Sequence, residues 1–315
     1  MLCIVWTHSR LPEWEGVPEY FSRLSLCNEI GQDAVAPFFL ITGFLFYRNF
    51  RMDRYAAKLK TRFRSLVIPY LLWNTFTAIF LYLVICHWGY TYISAHIYFD
   101  SIGEIVGSIF ACDFTVLWYV GVIIVYALVA PLFYYLGLNK RVAIGTIIVF
   151  FIIGIAFHHP FTSPLVWMSI YMMGTLWGMH YSSYLYGPQP LWLSLMALAL
   201  YPFCVWLNHA SDCMMTVNLR QWISVFFFIG VYDLINNIVH FVPHAIYQYS
   251  FFLYATHYWP IHILQRYIIL SDKSEAACWI AYLLVPAAVV IICLAAARWL
   301  DVKAHHLYRI LSGDR

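Results

Sequence analysis

The chain has 315 residues, of which 63% are hydrophobic and only 10% are charged, and its mean hydropathy is +0.72. A soluble domain carries about 25% charged residues, so the composition excludes an ordinary soluble protein and indicates a polytopic membrane protein. The net charge of +3 says little by itself, and no nucleic-acid partner is expected. Apolar stretches of about 20 residues predict spanning helices rather than a barrel, because a helix satisfies its own backbone hydrogen bonds.

Ten hydrophobic segments predict an all-α helix bundle, in one domain covering residues 1–315, with about ten transmembrane helices. Three segments are free of charge: Ser65–Cys86, Phe114–Leu136 and Ala276–Ala297. The others are shorter or contain a polar residue: Met1–His8, Ile30–Tyr47, Val142–Phe157, Leu165–Tyr186, Leu191–Asn208, Gln221–Val239 and Ser250–Leu270. The first is too short to cross a bilayer, which needs about 20 apolar residues. We therefore expect a truncated first helix and a true start upstream of Met1.

Basic residues are concentrated on one side of this predicted bundle. The loop after the second segment holds seven of them: Arg48, Arg51, Arg54, Lys58, Lys60, Arg62 and Arg64. The loop after the fourth segment and the C-terminal tail hold six more: Lys140, Arg141, Arg298, Lys303, Arg309 and Arg315. If ten segments alternate, these 13 of the 18 basic residues share one side, which the positive-inside rule makes cytoplasmic. The prediction is a multi-pass cell-membrane protein with its basic loops and C-terminus in the cytoplasm.

His8 is predicted to lie at or near the outer end of the first helix. An imidazole titrates near neutral pH, so it can take a proton from a hydroxyl and return it to a leaving group. The alternative is an interfacial histidine beside Trp6, wetted by lipid headgroups. Spacing alone favours this plainer interpretation.

The basic loop also has two interpretations. Seven cations beside a helix end are what the positive-inside rule and attraction to anionic lipids produce. They could instead bind a phosphorylated donor such as coenzyme A, because guanidinium and ammonium groups suit its phosphates. Lys58, Lys60, Arg62 and Arg64 alternate, so on a helix they would spread over more than one face and could not all contact one ligand.

Several polar or small residues lie within predicted spans. Gly43 permits close helix contact or backbone approach, and simple packing is favoured over a catalytic role. Ionisable residues inside a membrane are functional candidates by default, and here they are Asp233, Arg266, His257 and His262. His262 and Arg266 are four residues apart and share a helix face. Asp233 is a candidate to pair with a cation across the bundle, and a structural ion pair fits as well as a catalytic role.

Five further histidines give no metal-site pattern. A zinc site needs about four convergent ligands at ordered spacing. His87, His96, His158, His159 and His209 would face outward, and none forms an H-x-x-x-H pair. No metal is therefore expected.

Five stretches in the same order resemble acyltransferase family 3, a family of integral membrane acyltransferases that includes bacterial O-acetyltransferases of surface polysaccharides. His8-Ser9 looks like the first-helix histidine of that family. Pro37–Leu45 resembles its Phe-Phe-x-x-Ser-Gly-Phe-Leu stretch, and Lys60–Tyr70 resembles the basic start of its third helix. Leu117–Val120 matches a Leu-Trp-Phe/Tyr stretch, and Ser250–His257 matches a late Ser-x-x-x-Tyr-x-x-His pattern. The resemblance covers nearly the whole chain.

The chain departs from the family pattern in two places. The family has an arginine eleven residues before its first-helix histidine, a position that would precede Met1 here. Its usual Arg-x-x-Arg is Arg62-Phe63-Arg64, an Arg-x-Arg pair, in this chain.

The resemblance implies an O-acyltransferase that moves an acetyl or other acyl group from acetyl-coenzyme A, the donor substrate, to a hydroxyl of a cell-surface or lipid-linked glycan. His8 would act as general base or carry the acyl group briefly itself. Arg62 and Arg64 would hold the donor phosphates, helped by Lys58, Lys60 or Arg48. Supporting roles for the substrate or the structure would fall to Gly43, Trp118, Tyr119, His257, Asp233 and Arg266.

Two alternatives remain open at the level of sequence. A transporter or flippase of a lipid-linked or anionic solute would use Asp233 and Arg266 along its substrate path. A non-catalytic membrane scaffold or sensor would tolerate substitution of His8 and Arg62. For the acyltransferase, the predicted gap between His8 and the basic loop approaches the hydrocarbon thickness of about 30 Å. A deep donor cavity or a covalent acyl relay would be needed to bridge it.

Overall fold

The computed structural model describes residues 1–11, 17–22, 25–88, 101–156, 162–182, 187–211, 213–240 and 245–313. Every regular element in these ranges is a helix, so the predicted all-α class is confirmed. The chain divides into two compact units. The first unit combines Met1–Gly31, Lys60–Ile124 and His244–Arg315, and the second combines Gln32–Leu59 and Val125–Pro243. Each unit is therefore assembled from stretches that are far apart in sequence.

The first unit contains the two ends of the chain. Its helices are α1 (Leu2–Thr7), α2 (Glu19–Ser22), α3 (Ser25–Asp33, which ends in the second unit), α6 (Ile68–Trp88), α7 (Ile102–Ala111), α14 (Ser250–Thr256), α15 (Tyr258–Ser271), α16 (Glu275–Trp279), α17 (Val285–Lys303) and α18 (His305–Ser312). Two π-helical turns, Phe63–Val67 and Ile280–Leu284, lead into α6 and α17. Each turn is soon followed by a proline, Pro69 or Pro286, which lacks the N–H that would continue a regular helix.

The second unit is built from the central part of the chain. Its helices are α4 (Ala36–Tyr47), α9 (Ala130–Gly137), α10 (Lys140–Ala156), α11 (Pro164–His180), α12 (Leu191–Ser211) and α13 (Met214–Val239). Helices α5 (Tyr55–Arg62) and α8 (Trp118–Leu128) each have one end in either unit.

Long apolar helices are fewer than the sequence predicts. By length and composition, the described residues contain five candidate spans, namely Glu29–Tyr47, Met52–Ile85, Leu191–Ser211, Met214–Val239 and Glu275–Lys303, and a bent pair, α8 with α9, would make six. Helices α10 and α11 have 17 residues each, which at about 1.5 Å per residue is shorter than a hydrocarbon core of about 30 Å. The count of about ten spans is therefore not confirmed, whereas a multi-pass membrane protein is.

The charge-free segment Phe114–Leu136 is not one straight helix. Helices α8 and α9 meet at an angle of 65°, because Pro131 lacks an N–H and its ring displaces the preceding turn. Carbonyls near the bend accept tyrosine hydroxyls: Tyr55 donates to Leu128 at 2.7 Å, and Tyr47 donates to Ala130 at 2.9 Å. The bend thus satisfies its backbone acceptors with side chains of α4 and α5.

Helix α13 begins earlier than predicted, and this changes the position of one cation. The predicted segment began at Gln221 and left Arg220 in the preceding loop, but α13 starts at Met214 and buries Arg220. Its Nε lies 3.0 Å from Oδ2 of Asp33, which is fully buried. The Tyr201 hydroxyl donates to the same carboxylate oxygen at 2.9 Å. Since an unpaired charge is costly in a buried site, this pair explains how an arginine lies inside an apolar helix.

Glycines bring α4 and α11 into backbone contact. A Cβ on Gly174 would lie 2.1 Å from the Leu40 carbonyl oxygen, and one on Gly178 would lie 2.5 Å from the Phe44 carbonyl oxygen. From the other side, a Cβ on Gly43 would meet the Tyr171 carbonyl oxygen at 2.5 Å. Gly174 and Gly178 form a Gly-x-x-x-Gly pair, the spacing that allows close packing of membrane helices. Gly43 therefore lies in a helix–helix contact.

Candidate active site

His8 lies at the C-terminal end of a short helix in the first unit. Helix α1 has only six residues, and the His8 N–H closes its last turn on the Val5 carbonyl. Val5 is fully buried in an apolar cluster with Leu253, Ile261 and Val289. The helix is thus held by packing on α14, α15 and α17 rather than by its own length, since isolated helices this short are unstable in water.

Two further contacts position the backbone around His8. The fully buried Gln265 donates from Nε2 to the Ser9 carbonyl at 2.7 Å and to the Ala281 carbonyl at 3.0 Å. Ala281 lies in the π-helical turn before α17, where regular helix bonding is interrupted. Gly31 lies against the other side of α1, where a Cβ would come within 2.5 Å of the Cys3 carbonyl oxygen. The segment carrying His8 is therefore fixed from two directions.

A helix break places His257 opposite His8. The sequence predicted one span over Ser250–Leu270, but α14 ends at Thr256 and α15 begins at Tyr258. Pro260 lacks the N–H that would bond to Thr256, so the hydrogen-bond ladder is interrupted at this point. His257 is completely buried at the break, and its Nδ1 lies 2.9 Å from the Leu253 carbonyl oxygen.

Aromatic rings connect His8 to this break. The His8 ring centroid lies 5.3 Å from that of His257 and 5.0 Å from that of Tyr258, against which it packs edge-on. The Tyr258 ring packs in turn on His262, with centroids 4.5 Å apart. We call these four side chains the histidine cluster. It contains imidazoles that can exchange protons, beside a phenol that can donate or accept a hydrogen bond.

The segment before α8 supports the histidine cluster from another side. Tyr254 donates its hydroxyl to the Val116 carbonyl at 2.5 Å, and Trp259 donates its indole N–H to the Phe114 carbonyl at 2.5 Å. The stretch Leu117–Val120 follows directly and begins α8. The structure therefore joins two of the sequence motifs, the one containing Trp118 and Tyr119 and the one ending at His257.

Arg62 and Arg64 lie where α5 changes into a π-helical turn. Arg62 precedes the turn Phe63–Val67 and Arg64 lies within it. Arg64 and Lys60 are exposed and Arg62 is half-buried. Single π-helical turns occur often at functional sites because they redirect side chains from the regular helix positions.

The other two proposed donor contacts belong to the second unit. Arg48 is exposed at the C-terminal end of α4. The Lys58 ammonium donates to the Phe46 carbonyl and lies 4.3 Å from the centre of the Phe46 ring. A carbonyl and a ring face are both good partners for an ammonium group. Lys58 thus binds the end of α4.

A model of the acyltransferase domain named for acyltransferase family 3 matches residues 1–298. The chain belongs to acyltransferase family 3. No curated protein and no solved structure matches it. The family supports membrane acyltransferase activity in general, and the histidine cluster lies within the matched residues.

Two ionisable residues that the sequence placed inside spans, Asp233 and Arg266, also lie within the matched residues 1–298. Asp233 lies on α13 in the second unit and accepts the backbone N–H of Gln189 at 2.8 Å through Oδ2. It borders a mainly apolar cavity of about 420 Å³, lined also by Ile41, Phe44, Trp177 and Tyr232. Arg266 lies on α15 in the first unit, one turn after His262.

Sequence reasoning missed three residues with defined contacts in the structure. Gln265 looked like an ordinary helix residue, and its bond to Ser9 spans 256 positions in sequence. Asp33 was assigned no role, although it forms the buried ion pair with Arg220. Tyr258 lies one residue beyond the motif that ends at His257. Pro260 was the one available signal, since a proline predicts a break in the preceding turn.

The sequence predicts no metal site among the histidines. Among the residues with described positions, no three His, Cys, Asp or Glu side chains group as metal ligands would. His96, His158 and His159 lie outside the described residues.

Proposed function

We propose that this protein is an O-acyltransferase of the cell membrane that moves an acetyl group from acetyl-coenzyme A to a hydroxyl of a cell-surface or lipid-linked glycan. The observation that carries the proposal is His8, which packs against His257 and Tyr258 in a chain of acyltransferase family 3. A histidine between a buried imidazole and a phenol suits proton transfer at a reacting hydroxyl. The donor and the glycan are inferred from the chemistry that the family's best-characterised members share.

The proposed reaction needs one base that later acts as an acid. A ring nitrogen of His8 takes the proton of the acceptor hydroxyl while its oxygen attacks the thioester carbonyl. The tetrahedral intermediate then collapses, and the carbon–sulfur bond breaks. His8 returns the proton to the departing thiolate, which leaves as free coenzyme A thiol. The products are the sugar ester and the thiol, and His8 regains its starting form.

Donor binding is assigned to the basic residues around the π-helical turn. Arg62 and Arg64 are proposed to hold the phosphates of coenzyme A, because guanidinium groups bind phosphate oxygens bidentately. Lys60 is exposed one turn earlier on the same helix and can add a point charge. Arg48 and Lys58 are supporting candidates, with Lys58 already bound to α4. The positive-inside rule favours a cytoplasmic position for all five.

The test is transfer of labelled acetyl from acetyl-coenzyme A to extracted glycan, in membranes that contain the wild-type protein or a variant. We expect His8→Ala to abolish transfer while the protein still inserts, because the base is lost. His306→Ala is the matched control, since His306 is an exposed histidine on α18. Normal transfer in His8→Ala would overturn the role of His8. Cargo movement without release of free thiol in wild type would favour the transporter.

A further inference from the structure

The contacts of His257 determine which of its two ring nitrogens carries the hydrogen. Its Nδ1 lies 2.9 Å from the Leu253 carbonyl oxygen. A carbonyl oxygen only accepts hydrogen bonds, so Nδ1 carries the hydrogen of the neutral ring. Nε2 is then the nitrogen with the lone pair.

That lone pair is buried and lacks a partner. Within the described ranges, Nε2 of His257 has no hydrogen-bond partner, and the residue is completely buried. Leaving a buried acceptor without a donor destabilises the folded state, so a native protein seldom retains one without a use. The ring of His8 can donate an N–H, and its centroid lies 5.3 Å from the centroid of the His257 ring.

We propose that His257 is the positioning residue for His8: its Nε2 accepts an N–H from the His8 ring during the reaction. This fixes which His8 nitrogen keeps its lone pair, and that nitrogen faces the acceptor hydroxyl. When His8 takes the hydroxyl proton, the same hydrogen bond stabilises the imidazolium. The inference rests on the proposed function, in which His8 is the base.

The arrangement follows the logic of a base oriented by a third group. A carboxylate usually fills that third place, but it would bring a negative charge into an apolar site at a large desolvation cost. A neutral imidazole supplies the acceptor without the charge. The Leu253 carbonyl orients His257 in turn, because it accepts the hydrogen on Nδ1 and so selects the tautomer of the ring.

Three variants separate positioning from packing. His257→Asn can keep a donor toward Leu253 but has no acceptor at the position of Nε2. His257→Gln is longer and can place an amide oxygen there. His306→Asn is the exposed control on α18. The readouts are kcat and KM for labelled acetyl transfer, with detergent size-exclusion profiles to confirm that each variant is folded.

We expect His257→Asn to lower kcat by about 10²-fold with KM nearly unchanged, and His257→Gln to recover a measurable part of the loss. A folded His257→Asn with wild-type kcat would overturn the positioning role. Equal losses in the Asn and Gln variants would also overturn it, because packing alone would then explain them. Absence of transfer in wild type would reject the acyltransferase proposal itself, and this inference with it.

Discussion

Gln265 illustrates how one amide can fix the backbone beside a proposed catalytic residue, His8. Its Nε2 donates to two buried carbonyls, one of them at Ser9, the residue after His8. The other, Ala281, belongs to a π-helical turn whose backbone bonding is irregular. A single donor thus ties the end of α1 to the start of the last long helix.

Replacing this amide tests that connection. In Gln265→Leu, both carbonyls lose their donor, and each buried acceptor left unsatisfied costs roughly 1–3 kcal/mol. We expect a lower midpoint of thermal unfolding in detergent and a larger loss of acyl transfer, because the Ser9 backbone is released beside His8. Gln248→Leu is the control, since Gln248 is exposed. Full transfer in Gln265→Leu would show that this bond does not position His8.

Arg62 can be tested against another arginine of the same basic segment. We expect Arg62→Ala to raise KM for acetyl-coenzyme A with a smaller effect on kcat, because a phosphate contact far from the thioester contributes uniform binding. Arg51→Ala should leave KM unchanged. The Arg51 guanidinium is already paired with the Asp53 carboxylate at 2.9 Å. Equal KM values for wild type and Arg62→Ala would remove the phosphate role.

For single residues, the sequence predicts which side chains can react better than it predicts which side chains they contact. His8 stood out because an imidazole near a membrane face is a known proton carrier. Its partner His257 was noticed only as an ionisable residue within a span. No periodicity could have paired them, since 249 positions separate them and only the folded first unit brings their rings together. Gln265 carried no signal, because a glutamine on a helix is common.

Helices α4 and α11 form the closest backbone contact described above. Their glycines leave no room for a methyl group, since a Cβ on Gly174 would lie 2.1 Å from the Leu40 carbonyl oxygen. Backbone atoms cannot move aside as the end of a side chain can, so substitution must push the helices apart. The close packing of α4 against α11 therefore requires glycine at these positions.

Gly174→Ala tests this contact. We expect it to destabilise the protein by about 1–3 kcal/mol, the range for overpacking a close-packed interior, seen as a lower midpoint of thermal unfolding. Gly145→Ala on α10 is the control, because a Cβ there meets nothing within 4 Å. That change should be neutral or stabilising by roughly 0.5–1 kcal/mol. Equal midpoints for Gly174→Ala and wild type would show that the helices separate at little cost.

The ends of helices were predicted well where a run of apolar residues alone marks the helix. They were predicted poorly where a proline bends the helix or where a charged residue is paired inside it. The segment Leu191–Asn208 was expected, and α12 covers it. The expected straight span Phe114–Leu136 is bent, and Pro131 was the available signal. Arg220 was misplaced because a charge normally marks a loop, whereas Asp33 neutralises it inside α13.

The number of membrane crossings is the main whole-molecule question. Five predicted segments lie between Arg141 and Lys273, so ten alternating spans put these two residues on opposite faces. Among the residues that the structure describes, two of the long apolar helices, Leu191–Ser211 and Met214–Val239, lie between them. An even number of crossings would put them on the same face.

Cysteine labelling decides between these topologies. In a chain whose native cysteines are replaced, Arg141→Cys and Lys273→Cys would be treated with a membrane-impermeant thiol reagent on intact cells. With ten spans, Lys273→Cys should react on intact cells and Arg141→Cys only after lysis, as the positive-inside rule predicts. Equal reactivity of the two would reject the alternating arrangement. A detergent-treated sample of each variant shows that both thiols are reachable.

The interleaved first unit also has a consequence for the order of synthesis. His8 is made about 250 residues before its partners on α14 and α15. At about 5–20 residues per second, that delay is on the order of 10–50 seconds. During this time α1 lacks the apolar surface of α14, α15 and α17 that holds it. The histidine cluster is therefore completed only after α15 has been made, and a chain interrupted before that point lacks His257, Tyr258 and His262.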